Sequence, residues 1–492
     1  MPPGDTLGFS LVNRTEIDGV PVLWQDAPAP FSASLVFGVG ARHETFRTVG
    51  VTHLVEHLVM ATLPKSHLDS NAHVDLDSTI FQATGRPEAV GEFISAVCAA
   101  IGDLPLSRLA TEAGVLEAEG ASGDHPAMCE ALNDRYGLEG LGLLGTDGPG
   151  IQQITEQHVT DHVRRFFHRG NAVLVLTGAP PAGLRVLLPD GLPPEPITVR
   201  TSRRRPPGRL TYAGPMPSLS IEVASADGAD AAALMRILVE RMTDDLRHRK
   251  GLAYEVGCSS TRVDETHGVI TFWADGREGQ LDKVATGLWE AVRGLAEAGP
   301  TLKEIAHDRA GLEEFLDDPR TTQGRLEGNA LRLLRGGQPR NPGDARAQHD
   351  SLTPAHLQDM AGRSLTTALL QLPEDVEVDV ADLPLLDRDD EAYGDAPVIG
   401  RTHRKRALAL APPSLRAVVG GRGASLQVRG DTLTVLWEDA VGLGTGPDDR
   451  VIVAADGTVM QLSGKYLKDA GELFSTIESH IPEALWFELS EG

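Results

Sequence analysis

Cysteine, aromatic residues, positive charge and long apolar runs are all scarce in this 492-residue sequence. The three cysteines, Cys98, Cys129 and Cys258, are odd in number and widely spaced, with no C-x-x-C pair. No disulfide framework is expected, and the thiols read as reduced structural residues of a cytosolic protein. Aromatics make up 4% of the chain, so the cores must rest on Leu, Val, Ala and Ile. No run of 18 apolar residues is present, so no membrane-spanning helix and no membrane insertion are expected. The first residues lack a basic stretch followed by an apolar one, so no signal peptide is expected and the cytoplasm is the expected location. Lys plus Arg number 45 against 70 for Asp plus Glu, a net charge of −25. That balance argues against nucleic acid as a partner and against docking on anionic lipid.

What is present is an ordinary globular composition, 41% apolar and 23% charged, long enough for about three domains. Two breaks stand out. The first, residues 190–209, is rich in proline and carries Arg203, Arg204 and Arg205. The second, residues 379–406, passes from Asp387, Asp389, Asp390 and Glu391 into R-T-H-R-K-R. They predict three segments: residues 1–195, 208–385 and 400–492. Segments one and two read as versions of one α+β unit, a β-sheet covered on one face by helices. In the first, apolar runs at 32–39, 78–85 and 171–178 predict strands. Helical spacing covers 48–62, 87–101, 106–132 and 155–167. The second offers strands at 218–225, 254–262, 268–274 and 366–373, and helices at 229–249 and 279–296. Segment three alternates apolar with polar residues between Arg-Gly-Asp and Asp-Gly turns, which predicts hairpins, and then a helix over 467–481. Arg-Gly-Asp at 429–431 is read as a turn and not as a recognition motif.

The chemistry concentrates in V-G-V-T-H-L-V-E-H-L-V-M-A-T, residues 49–62. On a helix, positions three and four apart share a face. His53 and His57 can therefore offer two imidazoles to one metal ion, with Glu56 beside them to take a proton from a water. This H-x-x-E-H order is the inverzincin pattern, and imidazole with carboxylate in an open site suits one Zn2+ per chain. Apolar neighbours Val51, Leu54, Val55, Leu58 and Val59 bury the helix. Two imidazoles and a carboxylate there are costly unless paired or metal-bound. A third ligand is needed. T-E-A-G-V-L-E-A-E-G at 111–120 places Glu112 and Glu119 on one helix face, with Glu117 pointing elsewhere, and spacing alone does not choose between the two.

These residues resemble the pitrilysin-type metallopeptidases, the family of insulinase and the mitochondrial processing peptidase, in its bacterial single-subunit two-repeat form. The resemblance spans about residues 8–385. It rests on Gly40, Arg42 and Glu44 before the helix, on the H-x-x-E-H pentad, and on Asn71, Ala72, Thr79 and Phe81 in a strand. It continues through the Glu112/Glu119 helix and the L-R-H-R-K-G-L-A-Y-E-V element at 246–256. It implies a zinc endopeptidase with Glu119 as third ligand, Glu112 as a supporting carboxylate and Glu56 as general base. Arg247 and Tyr254 would stabilise the tetrahedral intermediate, and Asn71–Ala72 would receive the peptide substrate as an added strand. It also implies a homodimer, or a heterodimer with a related subunit, closing a chamber. The composition resembles that of GC-rich bacteria, where such enzymes mature precursor or leader peptides. The span from His57 to Asn71 is shorter than in the family, Val74 replaces its usual Thr, and segment two has no second pentad. Segment three lies outside this likeness; it resembles a pleckstrin-homology-like domain in architecture, with docking as its expected role. The alternative function is a non-catalytic structural or partner subunit, or a binding module with a vestigial peptidase unit.

Overall fold

The computed structural model describes residues 12–65, 67–120, 125–195, 197, 207–224, 227–380, 382–386 and 396–489. Arg203, Arg204 and Arg205, and the acidic Asp387, Asp389, Asp390 and Glu391, lie outside the described residues.

The first unit contains strands β1 (Asn13–Ile17), β2 (Val20–Trp24), β3 (Phe31–Phe37), β4 (Asp69–Val74), β5 (Thr79–Gly85) and β6 (Ala172–Leu176). They form one sheet in the order β1-β2-β6-β3-β5-β4. Its helices are α1 (Val51–Met60), α2 (Pro87–Gly102), α3 (Leu109–Glu119), α4 (Pro126–Tyr136) and α5 (Glu156–Phe166). The second unit contains β7 (Gly208–Tyr212), β8 (Ser218–Ala224), β9 (Val256–Arg262), β10 (His267–Ala274) and β11 (Leu369–Pro373), in the order β7-β11-β8-β10-β9. Its helices are α6 (Ala229–Met242), α7 (Leu281–Ala298), α8 (Leu302–Asp317), α9 (Thr322–Leu334), α10 (Pro342–Asp350) and α11 (Pro354–Ser364). Without β1, the two sheets have the same order and the same sense. β2 runs parallel to β6 as β7 does to β11, and every other neighbour is antiparallel.

The alternation of side chains explains why β3 and β6 read as unbroken apolar runs. Leu35, Phe37, Leu174 and Leu176 face the core under α1, α2 and α5, while Val36, Val173 and Val175 face a second cluster on the opposite side. A strand buried on both faces needs apolar residues at every position. That second cluster is closed by Leu326 and Ala330 of α9, a helix of the other unit. The favour is returned by α4, whose Met128, Leu132 and Tyr136 pack with Val263 and Val269 beside the second sheet. From α4, Arg135 also reaches across to Ser220 Oγ (3.0 Å), Glu222 Oε1 (3.0 Å) and the carbonyls of Ser220 and Thr367. Helices on one face only were expected; each sheet instead carries a helix of the other unit on its second face.

Two helical expectations are modified. The 106–132 stretch is broken, because α3 ends at Glu119 and α4 starts afresh at Pro126, a residue suited to the first helical turn. The 229–249 helix continues past Met242 as a π-helical turn, Thr243–Arg249, in which Leu246 stays buried against Gly287. None of the three cysteines forms a disulfide among the described residues, and Cys98 is buried.

The last part pairs two four-stranded sheets. One is β12 (Arg401–Arg404), β13 (Arg416–Gly420), β14 (Gly423–Val428) and β15 (Asp431–Leu436) in sequence order. The other is β16 (Ala440–Thr445), β17 (Asp449–Ala454), β18 (Val459–Ser463) and β19 (Trp486–Glu488), in the order β18-β17-β16-β19. Helix α12 (Ala470–His480) buries Leu473, Phe474 and Ile477 against residues of both. The turn at Arg429 and Gly430, both left-handed, joins β14 to β15 as the Arg-Gly-Asp sequence predicts. The helix does not end the fold. β19 follows it and adds parallel to β16. This part is knitted to the first unit by Arg47, whose Nε donates to the Trp486 carbonyl (2.7 Å), and by paired bonds between Gln153 and the Glu488 backbone (2.9 Å each).

Candidate metal centre

Helix α1 is fixed before any chemistry is asked of it. Its apolar face, Val51, Leu54, Val55, Leu58 and Val59, lies in the first unit's core. Gly50 at its start has φ +88°, a conformation that favours glycine. The buried Glu44 carboxylate accepts from the Gly50 N–H (2.7 Å) and the Thr52 N–H (2.9 Å), so a negative charge sits on the helix's positive end. Burial nevertheless pushes the Glu44 carboxyl up to about 7, against those hydrogen bonds. Thr52 Oγ1 lies 3.0 Å from His162 Nε2 on α5. Burial drives His162 down to about 3, with the charges of His43 and Arg165 acting in the same direction. Arg42, from the same lead-in, is buried and pairs with Asp77 (2.9 Å). It also donates to the carbonyls of Arg262 (3.0 Å) and Val263 (2.6 Å), which binds the first unit to the end of β9.

With the apolar face buried, His53, Glu56 and His57 share the remaining side. The two imidazole rings are 4.8 Å apart and nearly perpendicular. From the last turn of α3, Glu119 brings Oε2 to 3.6 Å from His57 Nε2 and 4.0 Å from His53 Nε2. One ligand atom from each of His53, His57 and Glu119 falls within a 4.8 Å set. A tetrahedral ion with bonds of about 2.1 Å places its ligand atoms about 3.4 Å apart, so the two Glu119 contacts, at 3.6 and 4.0 Å, are wider than that spacing by about 0.2 and 0.6 Å. Two imidazoles and one carboxylate, with no thiolate, are a donor set suited to zinc with a free position.

Glu56 Oε2 lies 3.5 Å from His53 Nε2 and 3.8 Å from His57 Nε2. Burial raises its carboxyl to about 7, and the Glu119 charge pushes the same way. His53 is lowered by burial and by His57, with Glu119 opposing. Glu112 is placed differently from Glu119. It is buried behind the cluster, with Oε2 3.7 Å from His57 Nδ1 and Oε1 held by Arg108 (Nε 3.0 Å, Nη2 2.6 Å). The seven-residue spacing thus separates two roles that sequence alone could not assign: Glu119 meets the Nε2 atoms and Glu112 meets the rear of one ring. Glu117 turns away to Gln152 (3.0 Å).

Asn71 and Ala72 lie on β4, which among the described residues pairs only with β5 and so forms an edge of the first sheet. Between Met60 and Asp69 the described residues form turns and no helix, in keeping with the shortened span. Arg247 and Tyr254 stand in the second unit. Tyr254 is 76% exposed, and the Arg247 guanidinium lies over its ring at 5.2 Å. Among the described residues their side chains meet each other and not the His–His–Glu cluster. His73 faces Asp75 (3.7 Å) and His267 faces Asp264 (3.3 Å), both outside the cluster. Arg108 went unremarked in the sequence, although its position four before Glu112 is an ion-pair spacing.

Residues 153–312 match the Peptidase M16 inactive domain. No curated protein matches the chain significantly. Among solved structures, a protease from Helicobacter pylori is 14% identical with a TM-score of 0.61, over 74% of this chain and 99% of its own. The peptidase M16 inactive domain from Pseudomonas fluorescens is 17% identical with a TM-score of 0.59, over 73% of this chain and 97% of its own. The periplasmic protease PqqL from Escherichia coli is 13% identical with a TM-score of 0.55, over 86% of this chain and 55% of its own. At these identities the likeness is one of fold. The mixed α/β architecture matches M16-like folds, and the domain match together with these neighbours supports a relationship to the M16 peptidases, the pitrilysin-type family.

Proposed function

We propose that this chain is a zinc-dependent endopeptidase acting on peptides. The observation that carries the reading is the convergence of His53, His57 and Glu119 from two helices, with Glu56 against both rings. The inactive-domain match is compatible with this reading. That match begins at Gln153, past all four residues, and covers the part of the chain without a pentad. The same match is the observation favouring the alternative, a non-catalytic partner subunit.

A bound zinc would supply Lewis-acid polarisation of the scissile carbonyl and acidify the attacking water. Glu56 accepts the proton of that water and returns it to the leaving amine. An extended peptide pairs its backbone with the free edge of β4, where Asn71 and Ala72 meet it. Tyr254 and Arg247 are the donors assigned to the developing oxyanion. The chain works as a pair, with a copy of itself or a related subunit, in the cytoplasm of a bacterium. The last domain serves docking on a pleckstrin-homology-like frame.

Hydrolysis of a set of unstructured peptides by the purified protein, with and without a chelator, is the test. Cleavage that stops with chelator and returns with zinc supports the enzyme. A protein that carries zinc yet cleaves nothing, alone or paired with a related subunit, supports the alternative.

A further inference from the structure

The cluster has a layer behind it that ends at the surface. Glu112 lies in the first turn of α3 with its side chain only 7% exposed, while Arg108, one turn earlier, has its side chain 47% exposed. The guanidinium puts both Nε (3.0 Å) and Nη2 (2.6 Å) on a single oxygen, Oε1. Two donors on one atom fix the rotation of the carboxylate, and the second oxygen is thereby left toward His57 Nδ1 at 3.7 Å. A buried carboxylate without that partner would carry an uncompensated charge and be free to turn from the ring.

We propose that Arg108 is a positioning residue for the metal centre. It holds Glu112 3.7 Å behind His57 Nδ1, from where the carboxylate attracts the Nδ1–H and leaves the Nε2 lone pair directed at the ion. The inference rests on the zinc reading above. The chain of contacts runs Arg108 to Glu112 to His57, and Arg108 touches neither substrate nor metal. A carboxylate behind a ligand imidazole sets its tautomer and orientation, and loss of such a partner weakens metal binding by about 10- to 100-fold. Arg108 acts one step further back, so its removal is expected at the low end, about tenfold.

The experiment measures zinc affinity by competition with a chromophoric chelator on the full chain. The variants are Arg108→Met, Arg108→Lys, Glu112→Gln and the double variant Arg108→Met with Glu112→Gln. The visible spectrum of the cobalt-substituted forms and the thermal midpoint of the metal-free forms are read alongside. Arg108→Met is expected to weaken zinc about tenfold and to alter the cobalt bands, with the metal-free midpoint lowered by the unpaired Glu112 carboxylate and recovered in the double variant. Arg108→Lys should recover part of the loss. The double variant should bind no worse than Glu112→Gln, because Arg108 acts only through that carboxylate. Affinity of Arg108→Met within twofold of wild type, or a double variant showing the sum of both losses, overturns the inference while leaving the zinc site standing. Wild type with no measurable zinc affinity overturns the zinc reading and this inference with it.

Discussion

Replacing Leu326 with Ala tests the exchange of helices between the two units. Leu326 belongs to α9 of the second unit yet is 1% exposed against Leu23, Val36, Ile80, Val173 and Val175 of the first sheet. Truncation of a buried Leu costs about 2–5 kcal/mol, scaling with the cavity left behind. Sheet and helix are rigid on both sides of this contact, so the cavity has little room to collapse and the upper half of that range is expected. At 1.4 kcal/mol per factor of ten, about 3.5–5 kcal/mol corresponds to roughly 300- to 4000-fold. The assay is native-state hydrogen exchange followed by peptide. Amides of β3 and β6, which carry Val36, Val173 and Val175, should lose protection by about that factor if their opening is coupled to loss of α9. The amides of β12 to β15, remote from α9, should keep theirs. Faster exchange confined to α9, with β3 and β6 as protected as in wild type, would refute the interlocked arrangement. It would mean that α9 is an appendage and not part of the first unit's fold.

Four further outcomes follow from the site and its supports. Glu56→Gln should retain zinc and lose about 10²- to 10⁴-fold in turnover, measured as kcat on a peptide; unchanged kcat would remove the general-base role. Gly50→Ala should cost about 1–2 kcal/mol in a denaturant titration. It forces a Cβ onto a +88° backbone and to within 2.7 Å of Ile151 Cδ1, and a variant as stable as wild type would contradict this. His162 sits at about 3 in the folded chain against 6.5 unfolded, so the unfolded chain binds the proton first and stability is lost as pH falls from about 6.5 toward 3. His43, lowered by burial to about 4, acts the same way, while Glu44, raised to about 7, adds stability as pH falls from about 7 to 4.5. Each such group contributes up to about 1.4 kcal/mol per pH unit. His162→Gln should therefore show a shallower loss of denaturation midpoint between pH 6.5 and 4 than wild type, and parallel curves would contradict the assignment. Finally, Gln153→Ala removes two bonds to the Glu488 backbone and should lower stability by about 1–2 kcal/mol, read as a drop in thermal midpoint; no change would mean that β19 is held elsewhere.

The parts of this protein legible in its sequence are the local ones. His53, Glu56 and His57 are separated by three and four residues, so helical geometry alone brings them to one face. The apolar runs of β3 and β6 announced buried strands, and the Arg-Gly turn at 429–430 announced a hairpin. What depends on long-range packing was hidden. Nothing near Leu326 or Arg135 says that the helix bearing it will cover the other unit's sheet, because an apolar or ion-pairing face does not name its partner. The edge hairpin β1–β2 was also missed, since a β1 of alternating charge, N-R-T-E-I, carries little apolar signal. Glu112 and Glu119 are equivalent by spacing, and only the approach of α3 to α1 distinguishes the carboxylate in front of the imidazoles from the one behind. The π turn at Thr243–Arg249 has helical spacing in the sequence, and Leu246 within it is buried over Gly287.

The central claim is that His53, His57 and Glu119 hold one zinc for hydrolysis by way of Glu56. Metal content of the purified chain, measured by elemental analysis beside peptide turnover for wild type, Glu56→Gln and His53→Ala, tests it most directly. Expected are about one zinc per chain with turnover for wild type, about one zinc without turnover for Glu56→Gln, and neither for His53→Ala. Zinc retained by His53→Ala at wild-type affinity, or turnover undiminished in Glu56→Gln, would contradict it.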